Sequence, residues 1–128
     1  MLLELRHVTK VFTSRGKPPV RAVDDVSFSI PEGSTFGLVG ESGSGKTTVA
    51  RIIPRLTEPT SGEILFDGRS LLQLTEKQMN AAREQIQIVF QNPYSSLNPR
   101  MTVRKLIGEP LLVHHKASGA ALDRRVLE

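Results

Sequence analysis

An α/β fold with a helical piece attached is the architecture this sequence predicts, on three observations. Short alternating or apolar runs of strand length recur from Leu2 to Phe90. A glycine-rich loop stands between one of these runs and a helical stretch. From Thr102 onward the chain is mostly helical in character. Strands first, then strand–loop–helix, then helices is the order of an α/β core continued by helices.

Leu2 to Phe12 mixes apolar and polar residues as a strand does, and Ser14-Arg15-Gly16-Lys17-Pro18-Pro19 reads as the turn or loop that ends it. Val26, Phe28 and Ile30 alternate with Ser27 and Ser29, the pattern of a half-buried strand. Pro31-Glu32-Gly33 is a tight turn. Thr35-Phe36-Gly37-Leu38-Val39 is a short apolar run of the kind a buried strand carries, and Thr47 to about Ile53 suits a helix. Glu58-Pro59-Thr60-Ser61-Gly62 closes that helical region, and Glu63-Ile64-Leu65-Phe66-Asp67-Gly68 is a strand running into a turn. Thr75 and Gln78 have capping-box spacing ahead of a helix through about Glu84. Ile86-Gln87-Ile88-Val89-Phe90 is a further strand; the helical stretch from Thr102 is interrupted at Pro110 and restarts near Ser118. Asp123 to Glu128 carries no stop signal, so the chain is expected to end inside a helix.

Composition bounds the function classes. The 128 residues suffice for one compact domain or a piece of a larger one. The hydrophobic fraction of 38% and charged fraction of 23% suit a globular chain rather than a disordered tail. A net charge of +4 and a pI near 9.9 favour anionic partners without choosing among nucleotides, nucleic acids and acidic lipid surfaces. There is no cysteine, which excludes disulfides, thiolate metal sites and cysteine nucleophiles. No apolar run approaches the roughly 18 residues that a spanning helix needs, and Met1 to Arg6 lacks the order of a secretion signal.

The most specific signal is Gly40-Glu41-Ser42-Gly43-Ser44-Gly45-Lys46-Thr47, which satisfies G-x-x-x-x-G-K-[ST] in full, with an apolar run before it and a helix after it. Gly40, Gly43 and Gly45 permit the positive φ that turns successive N–H groups inward onto phosphate oxygens. The helix start near Lys46 adds a positive dipole end. Lys46 brings a mobile charge to the β- and γ-phosphates, and Thr47 a hydroxyl to a magnesium ion that keeps several of its waters. Against this stands a glycine-rich turn that happens to hold Lys and Thr; the flanking strand and helix favour binding.

The segments around the loop narrow the reading. Val23-Asp24-Asp25-Val26-Ser27-Phe28, the loop with Thr48, Glu58-Pro59-Thr60-Ser61-Gly62-Glu63-Ile64, and Val89-Phe90-Gln91-Asn92-Pro93-Tyr94-Ser95-Ser96-Leu97-Asn98-Pro99-Arg100 stand in that order. Together they resemble the N-terminal part of ATP-binding cassette (ABC) transporter ATPases, the oligopeptide, dipeptide and nickel importers most of all. The resemblance implies a P-loop NTPase (RecA-like) core with an N-terminal antiparallel β subdomain over residues 1–91. The Q-loop and the start of a helical subdomain follow over residues 92–128. It implies ATP and Mg²⁺ as ligands, held by residues 40–48. Gln91 becomes the Q-loop glutamine, reaching magnesium or the attacking water, and Lys46 and Gln91 the catalytic contributors present. Phe12 falls where such ATPases stack an aromatic ring on adenine, against the alternative of a core phenylalanine at a strand end.

Two departures from the family bear on activity. Ile52-Ile53-Pro54-Arg55 puts a proline where similar proteins continue a helix, so the helix is expected to end early or kink. The LSGGQ-type signature, the apolar strand ending in Asp-Glu and the histidine switch are not found in residues 1–128. Binding without turnover, and apolar surface left open where core strands would cover it, are the expectations for this chain alone. The partners the resemblance implies are a second ATPase subunit and transmembrane permease subunits at the cytoplasmic face of the membrane. An ABC-type ATPase on nucleic acid and a non-catalytic fragment binding the permease are the alternatives. No nucleic acid is expected, since the Phe90-to-Arg100 stretch points to importers. Arg100, Arg104, Lys105, Lys116, Arg124 and Arg125 read as a solvated basic face, and the adjacent His114 and His115 as surface residues.

Overall fold

The computed structural model describes residues 1–92, 94 and 96–128. They form two compact units, Met1–Met79 and Asn80–Glu128. Pro93 and Ser95 of the importer-like stretch lie outside the described residues.

In the first unit, β1 (Leu3–Ser14) and β2 (Lys17–Ile30) form a long antiparallel hairpin. β3 (Ser61–Phe66) pairs with the other side of β1, and β4 (Arg69–Ser70) pairs with β3, so that among the described residues the sheet order is β2-β1-β3-β4. The alternation of Val26, Phe28 and Ile30 with exposed Ser27 and Ser29 holds in β2. The turn between the first two strands is shorter than expected: Pro18 and Pro19 lie within β2 rather than in the loop. β2 is an edge strand, where a residue without an N–H takes little from the ladder.

The hairpin is not regular. Leu3 and Leu5 are buried at strand spacing, but the next buried residue is Val8, and the register shifts between Leu5 and Val8. His7 (φ 51°) and Asp25 (φ 49°) kink the two strands opposite each other and share an imidazole–carboxylate contact of 2.7 Å. The bulge resets the alternation, so Val8 returns to the core face. β3 closes on this bulge through Gly62, where a Cβ would stand 2.5 Å from the His7 carbonyl oxygen. The buried core is the inner face of the sheet (Leu3, Leu5, Val8, Val23, Ile64) with Val49, Ile52, Leu71 and Met79.

Helix α1 (Lys46–Ile52) ends ahead of Pro54, resolving the choice between stop and kink. The end is a Schellman-type pair: Leu56 N–H donates to the Arg51 carbonyl at 2.9 Å and Arg55 N–H to that of Ile52 at 2.9 Å. Arg55 takes the left-handed position (φ 53°) that glycine usually fills. Its guanidinium compensates by donating to the carbonyls of Leu71 (2.9 Å) and Leu74 (3.0 Å) and to Glu58 Oε1. Helix α2 (Glu76–Arg83) starts as its sequence predicts: Gln78 Oε1 accepts from Thr75 N–H at 3.0 Å while Thr75 Oγ1 accepts from Gln78 N–H at 3.3 Å.

Two expected strands are not strands. Residues 35–39 and 86–90 make no sheet pairing, and Val39 and Val89 are each 93% exposed. Strand pattern supplies the side chains of a ladder, but a strand exists only where a neighbouring backbone accepts its bonds. Within the first segment Phe36 is anchored by stacking on Phe28 of β2, with ring centroids 4.7 Å apart.

The second unit holds α3 (Pro93–Ser96), α4 (Val103–Val113) and α5 (Gly119–Leu127). Pro110 does not interrupt α4 as the sequence suggests; it sits inside a helix that continues to Val113. Thr102 Oγ1 caps α4 by accepting from Lys105 N–H. The buried Gly108 lets α5 approach through Leu122 and Val126. Arg104 of α4 pairs with Asp123 of α5, and the hydrogen bond, then the charge, of that carboxylate raises the guanidinium above its ordinary range. Glu84 meets Lys116 Nζ at 3.0 Å and His114 Nδ1 at 3.3 Å. His114 is thus four-fifths covered rather than the surface residue its sequence suggests, whereas His115 is exposed.

Candidate functional site

The glycine-rich loop leaves the segment 35–39 and ends in α1, so the context the motif requires on its helical side is present. A turn closes within it, the Glu41 carbonyl accepting from Ser44 N–H at 3.2 Å. Gly43 (φ 81°) and Gly45 (φ 95°) hold the backbone in the left-handed region that the sequence assigns to these glycines. Gly45 is doubly constrained: a Cβ there would fall 2.2 Å from the Ala22 carbonyl oxygen of β2. The sheet therefore abuts the loop where the helix begins.

Lys46 is the first residue of α1, yet its side chain turns back across the loop. Nζ donates to the carbonyls of Gly40 (2.7 Å) and Glu41 (2.6 Å) and reaches Ser44 Oγ at 3.2 Å. All three ammonium protons are thus directed to groups of the loop itself. Gly40 does not take the positive φ expected of it, because the turn closes from Glu41 onward; a Cβ there would meet Ser44 Oγ at 2.6 Å, so the serine hydroxyl would have to turn away. Thr47 is exposed and Thr48 half-buried in the first turn of α1; Glu41 and Ser42 are exposed on the loop.

Beside the loop lies a cleft of about 480 Å³, lined by Gly40, Gly43 and Ser44–Lys46 on one side and by Arg21–Asp24 of β2 on the other. The contribution of β2 has no signature in the sequence, because Ala22 acts through a backbone carbonyl. Arg21 and Asp24 pair with each other at 2.7 Å, leaving little net charge on that wall. Lys46 is then the principal cation of the cleft.

Phe12 lies on the same hairpin, 45% exposed, opposite Val20, the neighbour of cleft-lining Arg21. It is outside the cleft lining. Gln91 belongs to the second unit, exposed at a bend after residues 86–90. Among the described residues no group of three or more His, Asp or Glu side chains is placed to hold a metal ion. No helix among them is long and apolar enough to cross a membrane.

Comparisons with known proteins identify the family. The ABC transporter family model matches residues 23–126. The putative oligopeptide transport ATP-binding protein YkfD of Bacillus subtilis is 47% identical over 127 residues, covering 95% of this chain and 39% of that protein. The oligopeptide transport ATP-binding protein AppF of the same organism is 47% identical over 134 residues, covering 99% of the chain and 41% of that protein. The chain thus spans about two fifths of the length of the curated relatives it matches. Among solved structures, a dimeric post-hydrolysis state of the ATP-binding cassette MJ0796 bound to ADP and Pi superposes with a TM-score of 0.80 at 31% identity. That match covers 98% of this chain and 54% of the other. With the family model spanning most of the sequence and relatives 47% identical over nearly all of it, this chain belongs to the ABC transporter family.

Proposed function

We propose that the loop Gly40–Thr47 binds the β- and γ-phosphates of ATP, as part of an ATPase subunit that energises import of peptides or similar small solutes. The observation that carries this is the Lys46 ammonium, held inside a glycine-rich turn by two carbonyls and a hydroxyl. An incoming phosphate oxygen replaces those neutral acceptors with an anionic one, a stronger partner for the ammonium. The loop is preorganised, so little chain entropy is lost on binding. The relatives' names specify oligopeptide transport, and one structural neighbour is a dimer with ADP and Pi.

The residues suit a magnesium ion in part. Thr47, exposed in the first turn of α1 next to Lys46, offers one hard oxygen, and Mg²⁺ takes its remaining ligands from phosphates and water. Gln91 is proposed as a further oxygen ligand and a contact for the attacking water. Phe12 is proposed to stack on the base. From Val20, its strand partner, to Ala22 at the loop is two residues, about 7 Å of strand. The ribose and α-phosphate bridge such a span.

In the intact assembly the subunit is proposed to work as a dimer at the cytoplasmic face of the membrane, against transmembrane permease subunits. Because the sequence contains no signature motif and no Asp-Glu strand end, the proposal for this chain by itself is binding with little turnover. Titration with Mg-ATP tests the site. Lys46→Ala is expected to weaken binding by about ten- to a hundredfold, the worth of a charge-assisted contact. Equal affinity in the variant would remove the loop from the reading.

A further inference from the structure

Phe12 is not a bare ring. Lys10, two residues earlier on β1, places its Nζ 5.0 Å from the ring centroid, over one face. The same ammonium donates to the Glu58 carbonyl at 2.6 Å, which fixes it there. Thr60, two residues beyond Glu58, ties the same strand by accepting from Val11 N–H at 2.9 Å through Oγ1. One face of Phe12 is therefore covered by a tethered cation, while the ring keeps 45% exposure.

We propose that Lys10 is a positioning residue for the nucleotide base: it caps one face of Phe12 and presents the opposite face, held in one orientation, for purine stacking. The inference rests on the stacking reading of Phe12 given above and adds what controls it. Two physical effects act in the same direction. A cation on one face draws π-density toward itself, so the free face is a better partner for an electron-rich purine. The ring is also held in place before the ligand arrives, so less side-chain freedom is lost on binding. The Glu58 tether joins this arrangement to the segment that follows α1, the helix whose first turn carries Lys46 and Thr47.

The test separates base from phosphate. Affinities for Mg-ATP and for inorganic tripolyphosphate are measured by calorimetry on the chain and on Phe12→Ala, Lys10→Met and Lys10→Arg. Phe12→Ala is expected to weaken ATP about tenfold, as loss of one base–aromatic stack does, and to leave tripolyphosphate unchanged. Lys10→Met, which keeps an apolar stem, is expected to weaken ATP about threefold with tripolyphosphate again unchanged, and Lys10→Arg to restore ATP binding. If Phe12→Ala leaves ATP binding intact, the stacking reading fails and the inference with it. If Phe12→Ala weakens ATP but Lys10→Met does not, stacking stands and the role of Lys10 is refuted. If Lys10→Met weakens both ligands by the same factor, Lys10 acts through general charge and the positioning role is overturned.

Discussion

Gly45 and Lys46 are adjacent, and each is fixed by a different part of the molecule. Gly45 is confined by φ of 95° and by the Ala22 carbonyl; Lys46 is confined by the loop it spans. For Gly45→Ala, left-handed strain and the clash with backbone add up to a loss of about 3 kcal/mol. Urea unfolding is expected to show that loss as a lower midpoint, together with loss of ATP binding. Lys46→Ala is different in kind: the same unfolding curve is expected to move little while binding is lost, because that side chain is tied only to the loop. The left-handed backbone at Gly45 was legible in the sequence, since the motif names a residue type whose physics is local. The Ala22 contact was not, because a backbone carbonyl leaves no trace in side-chain pattern.

Among the elements, those defined by local signals came through best. The Thr75–Gln78 capping box is made as its spacing predicts, and Thr75→Ala is expected to destabilise α2 by about 1 kcal/mol, read as a shift in denaturant midpoint. Arg55 carries more than one contact, with two backbone carbonyls and Glu58 as acceptors. Arg55→Ala is expected to cost about 2 kcal/mol by the same measurement, since it strands partly buried carbonyls. The proline signals misled twice in the same way, each read as a break and each found inside an element. Pro18 and Pro19 looked like loop and are strand because β2 has an open side; Pro110 looked like a break and is carried within α4. Segments 35–39 and 86–90 have strand sequences without strand bonds, because pairing depends on neighbours that periodicity does not describe. Only the bulge at His7 and Asp25 explains why Leu5 and Val8, three apart, share one face.

For the molecule as a whole, the unpaired segments decide how it behaves in solution. Leu38, Val39, Val89 and Phe90 are each at least 43% exposed, and burying a side chain of this size is worth about 1.5–3 kcal/mol. The chain is expected to bind a hydrophobic dye and to associate as concentration rises in sedimentation velocity. Replacing Val39 and Val89 by Lys is expected to suppress both, and unchanged association would place the sticky surface elsewhere. The sheet sets the form that association takes. Fibrils grow by templating new strands onto a continuous row of free backbone donors and acceptors. The outer side of β2 lacks donors at Pro18 and Pro19 and is bent at Asp25, whereas on the far side of the sheet β4 covers only the Leu65–Phe66 end of β3. The β2 border is therefore a poor template, and growth of the sheet along that edge is disfavoured.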